Sequence, residues 1–298
     1  MQRKNLKSND MKQFWNLGIL FCLCGCCNTQ QSLLPVVDLT QTYPEKEFVV
    51  DDADVEYIPL ETTTEVLADR DFRVVYLSDK RIVGINRQRG DIFVFSRDGK
   101  TISFFNNKGN SGIDYQSITS IVFDEANKEI FVADQLSRNR CVVFSEDGKF
   151  LRQFNFPANS WIKDLYNFDD NTLLAYNQDR LRTLDDDINQ KIPYVFLSKS
   201  DGSIISRVNL SFHKRISDTQ ITNDSSIGMT GITIITNNRN SKFGDEFVIA
   251  DRSSDTIFLL KKDKKLTPLF VRTPSVLNNE NQLIVMSVHY KTDKYLFF

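Results

Sequence analysis

The chain is short of cysteine where cysteine would organise a fold. Four of its five cysteines crowd the N-terminus, at Cys22, Cys24, Cys26 and Cys27, and Cys141 stands alone in the body. A lone body thiol excludes a disulfide framework there, and a cysteine-type zinc cluster with it. Surplus positive charge is also missing: 37 Lys and Arg stand against 39 Asp and Glu, a formal net charge of −2. With no basic field or basic helix, nucleic acid is not an expected partner. Histidine is reduced to His213 and His289. Neither accompanies a serine or cysteine in a nucleophile setting such as Gly-x-Ser-x-Gly. Gly109-x-x-Gly112 lacks the Lys-Ser/Thr of a phosphate loop. The 2 Trp contrast with 23 Phe and 9 Tyr, and that aromatic excess suits the half-buried surfaces of strands.

The N-terminus reads as an address. Arg3, Lys4, Lys7 and Lys12 precede a mostly apolar run at residues 14–23. Ten helical residues cover about 15 Å, half a bilayer core, too short for a mature span. A basic region, a short apolar region and a small-residue site form a signal peptide, starting from Met1 or Met11. The site, Leu23-Cys24-Gly25-Cys26, resembles the lipobox of bacterial lipoproteins, and the resemblance implies cleavage after residue 25 and lipidation of Cys26. A plain secretory signal is the alternative. Residues 26–45 then read as a lipidated tether, and 46–298 as the folded domain.

That domain repeats. Residues 81–86 (Arg-Ile-Val-Gly-Ile-Asn), 129–134 (Glu-Ile-Phe-Val-Ala-Asp) and 246–251 (Glu-Phe-Val-Ile-Ala-Asp) are apolar runs closed by Asn or Asp. Each precedes a second apolar run and a turn built on Asp98-Gly99, Asp147-Gly148 or Asp263-Lys264. A degenerate copy runs from 172–177 to Asp201-Gly202, with an insertion over about 178–192. First strands are expected at 72–77, 118–123, 162–167 and 231–236. Asp-Gly is a strong hairpin signal. Four antiparallel strands repeating every 40–50 residues or so mark propeller blades. The expected fold class is therefore all-β: a β-propeller of four-stranded antiparallel blades at about 72–109, 118–157, 162–212 and 231–274. A partial fifth blade is read over 283–298, with 294–298 as its second strand.

The repeats resemble NHL-type blades, and the whole chain resembles the six-bladed β-propeller lipoproteins of bacterial envelopes. The segment Val55-Glu56-Tyr57-Ile58-Pro59-Leu60-Glu61-Thr62 is similar to the start of their domains. Their loop after the first blade reads Gly-Pro-Gly-Glu-Tyr, whereas here it is Gly109-Asn110-Ser111-Gly112-Ile113-Asp114-Tyr115. The resemblance implies six blades, so about four and a half are counted and the propeller is expected to be incomplete. Residues 55–60 are expected to add one strand to a neighbouring sheet.

Asn86, Asp134, Asn177 and Asp251 recur at one place in four blades. They suit a polar mouth or a hard-cation site, or, more simply, Asx side chains that close turns by binding backbone N–H groups. No catalytic residue, metal ligand set or cofactor is assigned. Cys141 reads as a small core residue. Two functions remain open. One is an envelope-anchored, non-catalytic binding module contacting a protein or glycan, and the other a metal-dependent hydrolase or lyase using the channel mouth. A truncated, non-functional fragment is a third outcome.

Overall fold

A computed structural model describes residues 34–42, 55–135, 138–178, 191–216, 219–224, 228–234, 240–276, 286–288, 290–291 and 296–297. The expected signal peptide, Cys26, His289 and most of the expected insertion lie outside them.

Three sheets follow one plan. The first contains β2 (Phe72–Leu77), β3 (Arg81–Asn86), β4 (Asp91–Ser96) and β5 (Thr101–Phe105). The second contains β6 (Ser120–Asp124), β7 (Glu129–Asp134), β8 (Arg140–Ser145) and β9 (Phe150–Asn155). The third contains β10 (Ile162–Asn167), β11 (Thr172–Asn177), β12 (Tyr194–Ser198) and β13 (Ile204–Arg207). In each, the strands pair antiparallel in chain order. A fourth sheet orders β16 (Asn240–Phe243), β17 (Glu246–Ile249), β18 (Thr256–Leu260) and β19 (Leu266–Thr273) in the same way. The fold is all-β and propeller-like.

The second strand of a sheet is apolar on both faces because both faces are covered. Along β7, Ile130 and Val132 pack towards Val83, Ile85, Ile92 and Val94 of the first sheet. Phe131 and Ala133, on the opposite face, join Leu173, Ala175, Val195 and Leu197 of the third. The same alternation lets Tyr176 and Phe196 meet Phe247 and Ile249. Each fully buried side chain of this size contributes about 1.5–3 kcal/mol relative to exposure, so the cohesion lies between sheets. Outer strands keep a wet face, as Leu151 on β9 and Ile205 on β13 show.

The Asp-Gly turns occupy equivalent places between third and fourth strands. Gly99 and Gly148 donate to Ser96 O and Ser145 O at 2.9 Å, and Gly202 donates to Ser198 O at 2.9 Å. Gly148 has φ 81°, a region costly for any side chain. A Cβ there would lie 2.5 Å from Cγ of Phe105, on the outer strand of the preceding sheet. The glycine thus serves the hairpin and the contact between sheets together. In the fourth sheet Lys264 takes this left-handed position, with φ 64°.

The expected layout needs four corrections. Residues 231–236 are not the first strand of the fourth sheet: β15 (Met229–Ile234) pairs with β14 (Thr219–Asp224) in a separate hairpin. The true first strand, β16, reads Asn-Ser-Lys-Phe and carries no apolar alternation to betray it. Second, residues 55–60 form no strand. Ile58 and Leu60 instead pack on Ile82, Phe93 and Phe95 of the first sheet, and Glu61 donates to Gly99 O at 2.8 Å. Third, the added strand comes from the presumed tether: β1 (Val36–Asp38) pairs parallel with β19. Val37 and Leu39 supply the apolar contact that a polar tether would lack. Fourth, in the fifth-blade region Met286 and Val288 pack on the fourth sheet outside any strand. There β20 (Tyr290–Lys291) pairs with β21 (Leu296–Phe297). Residues 283–285 of that blade lie outside the described ones.

Candidate functional site

Antiparallel order places the β3–β4, β7–β8 and β11–β12 connections at the same end of each sheet as the segments entering β2, β6 and β10. Asn86, Asp134, Asn177 and Asp251 all sit at this entry end, and all are buried. Asn86 Nδ2 donates to Asp69 Oδ1 at 2.9 Å, and its Oδ1 accepts from Arg89 N at 2.9 Å. Asp134 accepts from Gln116 N, Ser117 N and Ser117 Oγ at 3.1–3.2 Å. Asn177 Oδ1 accepts from Trp161 N at 2.6 Å. Asp251 accepts from Ser253 N and from the Tyr194 hydroxyl, each at 2.9 Å. Asp134 and Asn177 therefore clasp the chain where it enters their own sheet, while Asp251 is bonded from the sheet before. None of the hydrogen bonds described joins two of the four. Among the described residues no group of three or more His, Cys, Asp and Glu converges to hold a metal ion. His213 is exposed on the segment after the third sheet. Cys141 is buried, and burial pushes its thiol well above the ordinary thiol range.

The most built feature of this end is the loop of residues 109–115. Arg140 Nη1 donates to Gly112 O at 2.6 Å, and its Nη2 donates to Asp114 O. Arg138 donates to Ser111 O at 3.1 Å and Asn110 O at 3.2 Å. Arg138, just before β8, and Arg140, which opens it, thus hold the carbonyls of Asn110, Ser111, Gly112 and Asp114. Asp134 lies 3.6 Å from Arg140 Nε, with both side chains buried. Tyr115 closes the loop: its hydroxyl donates to Gly90 O and accepts from Asn107 N at 3.2 Å. Burial raises that phenol above its ordinary range. The clamp was invisible in sequence because guanidiniums bind backbone carbonyls, which leave no residue signature.

At the opposite end, a cleft of about 500 Å³ opens between the second and third sheets, lined among others by Asn127, Glu129, Arg152, Asn171, Ser198 and Lys199. Both of its cations are ion-paired, while Asp170, also on the lining, has no ion pair among the described residues. Arg152 grips Glu129 with two bonds of 2.6 and 2.7 Å, which raises the guanidinium's pKa against the opposing effect of burial. Lys199 Nζ meets Asp124 Oδ2 at 2.6 Å. Burial alone would raise the Asp124 carboxyl, but bonds from Lys199 and Asn127 outweigh it and hold the group below its ordinary value.

Residues 34–298 match the model of a family described as a domain of unknown function, DUF4934. The chain belongs to the DUF4934 family. No curated protein matches it. Among solved structures it is similar to a Bacteroides fragilis protein assigned as exported, with TM-score 0.56 and 14% identity, covering 80% of this chain and 59% of that one. A DUF4221 member from Bacteroides vulgatus aligns with TM-score 0.45 and 10% identity, over 70% of this chain and 59% of that one. Virginiamycin B lyase from Staphylococcus aureus aligns with TM-score 0.35 and 16% identity, over 68% and 70%. The chain spans about three fifths of the length of the first two. At such identities the likeness to the first concerns the fold.

Proposed function

We propose that this DUF4934 chain is an exported lipoprotein, anchored at Cys26, whose domain is a six-bladed, NHL-like propeller acting as a non-catalytic binding module. The observation that carries this reading is the fate of the acidic and amide side chains. The four recurrent Asx residues are buried in bonds to their own scaffold, and both cations of the opposite cleft are held in ion pairs. What stays accessible at the entry end is a loop held by Arg138 and Arg140, the kind of positioned surface loop on which binding residues are often carried.

Two measurements test it. Metabolic labelling with a fatty-acid analogue tags the wild type and spares Cys26→Ala; equal labelling of both defeats the anchor. Thermal melting with and without calcium leaves the midpoint unchanged. A rise in midpoint, required by mass action if the native state binds the ion, favours the metal-dependent enzyme instead.

A further inference from the structure

Most cations around the first and second sheets are set against carboxylates, and three at the loop end are not. At the end opposite the clamped loop, cations meet carboxylates: Arg81 with Glu146 and Arg97 with Glu56, each at 2.5 Å, and Arg152 with Glu129 at 2.6 Å. At the loop end Arg89 pairs with Asp69 at 3.0 Å and with Asp91 at 2.5 Å, and Arg140 lies 3.6 Å from Asp134, but three other cations meet neutral carbonyls. Arg87 Nη1 donates to Thr119 O at 2.7 Å, and Lys108 Nζ to Gln88 O at 2.7 Å. Arg138 donates to Asn110 O and Ser111 O, as described above. A carboxylate fixes a cation and cancels its charge; a carbonyl only fixes it. The three contacts also interlock. Lys108 holds the residue next to Arg87, and Arg138 holds residues two and three beyond Lys108. Partial burial lowers the pKa of Arg87, and the charge of Asp164 opposes that shift. The carboxylate of the loop itself, Asp114, is engaged by Ser111 N at 2.9 Å.

We propose that this edge, Arg87, Lys108 and Arg138, binds an acidic polysaccharide; the proposal rests on the reading of the domain as a binding module. Three cations on three separate segments exceed what one monoanion can serve, and they call for a chain with repeated anionic groups. Their neighbours Gln88, Asn110, Ser111 and Gln116 are amides and a hydroxyl, which suit a hydroxylated ligand better than apolar peptide side chains. Release of counterions from such a polyanion supplies affinity and makes it dependent on salt.

The test titrates the full chain, in uncharged detergent micelles, with heparin, hyaluronate, polyglutamate and neutral dextran. Heparin or hyaluronate binds and dextran does not; binding of hyaluronate assigns carboxylates, and binding of heparin alone assigns sulfates. Arg87→Gln with Lys108→Gln weakens binding about tenfold or more, and the dependence of log affinity on log salt becomes shallower. Lys108→Gln alone, at an exposed side chain, shifts both readings in the same direction, and Lys149→Gln at the opposite end leaves them unchanged. Absence of saccharide binding overturns the proposal, as does binding indifferent to the double variant or tighter binding of polyglutamate at these residues. Each leaves the Cys26 labelling and calcium results standing, so the two readings fail separately.

Discussion

Lys199 Nζ lies 2.6 Å from Asp124 Oδ2, and both side chains are almost wholly buried. Lys199 belongs to the turn between β12 and β13, and Asp124 ends β6, so one ion pair joins the third sheet to the second. Removing one partner strands a buried charge. Asp124→Ala or Lys199→Ala is expected to cost about 3–5 kcal/mol, whereas Asp124→Leu with Lys199→Met costs far less or nothing. Urea unfolding of the four proteins checks this.

The same pair sets an acid limit. Asp124 titrates below its ordinary value in the folded protein. Its contribution is therefore complete above the unfolded carboxylate range, about 3.9, and is lost as pH falls through the lower folded value. Stability measured from pH 6 to pH 2 is expected to fall steeply in the wild type. In Asp124→Leu/Lys199→Met this component of the slope is gone.

Gly148 and Gly112 are expected to respond oppositely to alanine. At Gly148 the positive φ and the Phe105 ring both resist a Cβ, and the left-handed backbone alone costs about 1–2 kcal/mol. At Gly112 a Cβ meets nothing within 4 Å, so Gly112→Ala stays within about 0.5 kcal/mol of the wild type. Thermal melting of both variants decides; equal losses would show that the contact between sheets does not depend on the glycine.

Arg140→Leu removes the bonds to Gly112 O and Asp114 O and leaves Asp134 without its nearest cation. Hydrogen exchange over residues 109–115 is expected to accelerate by an order of magnitude or more while β3 and β7 keep their protection. Uniform loss of protection across the first two sheets would make Arg140 a general stabiliser rather than the holder of this loop.

Cys141 is expected to resist maleimide at neutral pH in the native protein and to react fully in denaturant, because burial both excludes the reagent and disfavours the thiolate. Peptide mapping separates it from the N-terminal cysteines. Native-state labelling at a rate typical of exposed thiols would contradict the packing of β8.

The repeat was legible wherever a local rule governs it. Apolar second strands such as residues 129–134 and Asp-Gly turns such as 147–148 depend on short-range pattern and turn chemistry, and both stand where expected. The polar strand β16 and the parallel strand β1 were not legible. β16 pairs with the adjacent β17 but has no apolar alternation to mark it, whereas β1 depends on β19, more than two hundred residues away. Asn86, Asp134, Asn177 and Asp251 were visible as a recurring column, but their bonding partners are backbone groups and side chains of the entering segments.

By itself, then, the order of residues determined an all-β chain of repeated four-stranded units, because alternation and turn residues act over a few positions. Which cations are cancelled and which are merely held was decided by the tertiary structure alone. Arg87 and Arg152 look alike in a sequence, and only folding sets one against a carbonyl of Thr119 and the other against the carboxylate of Glu129.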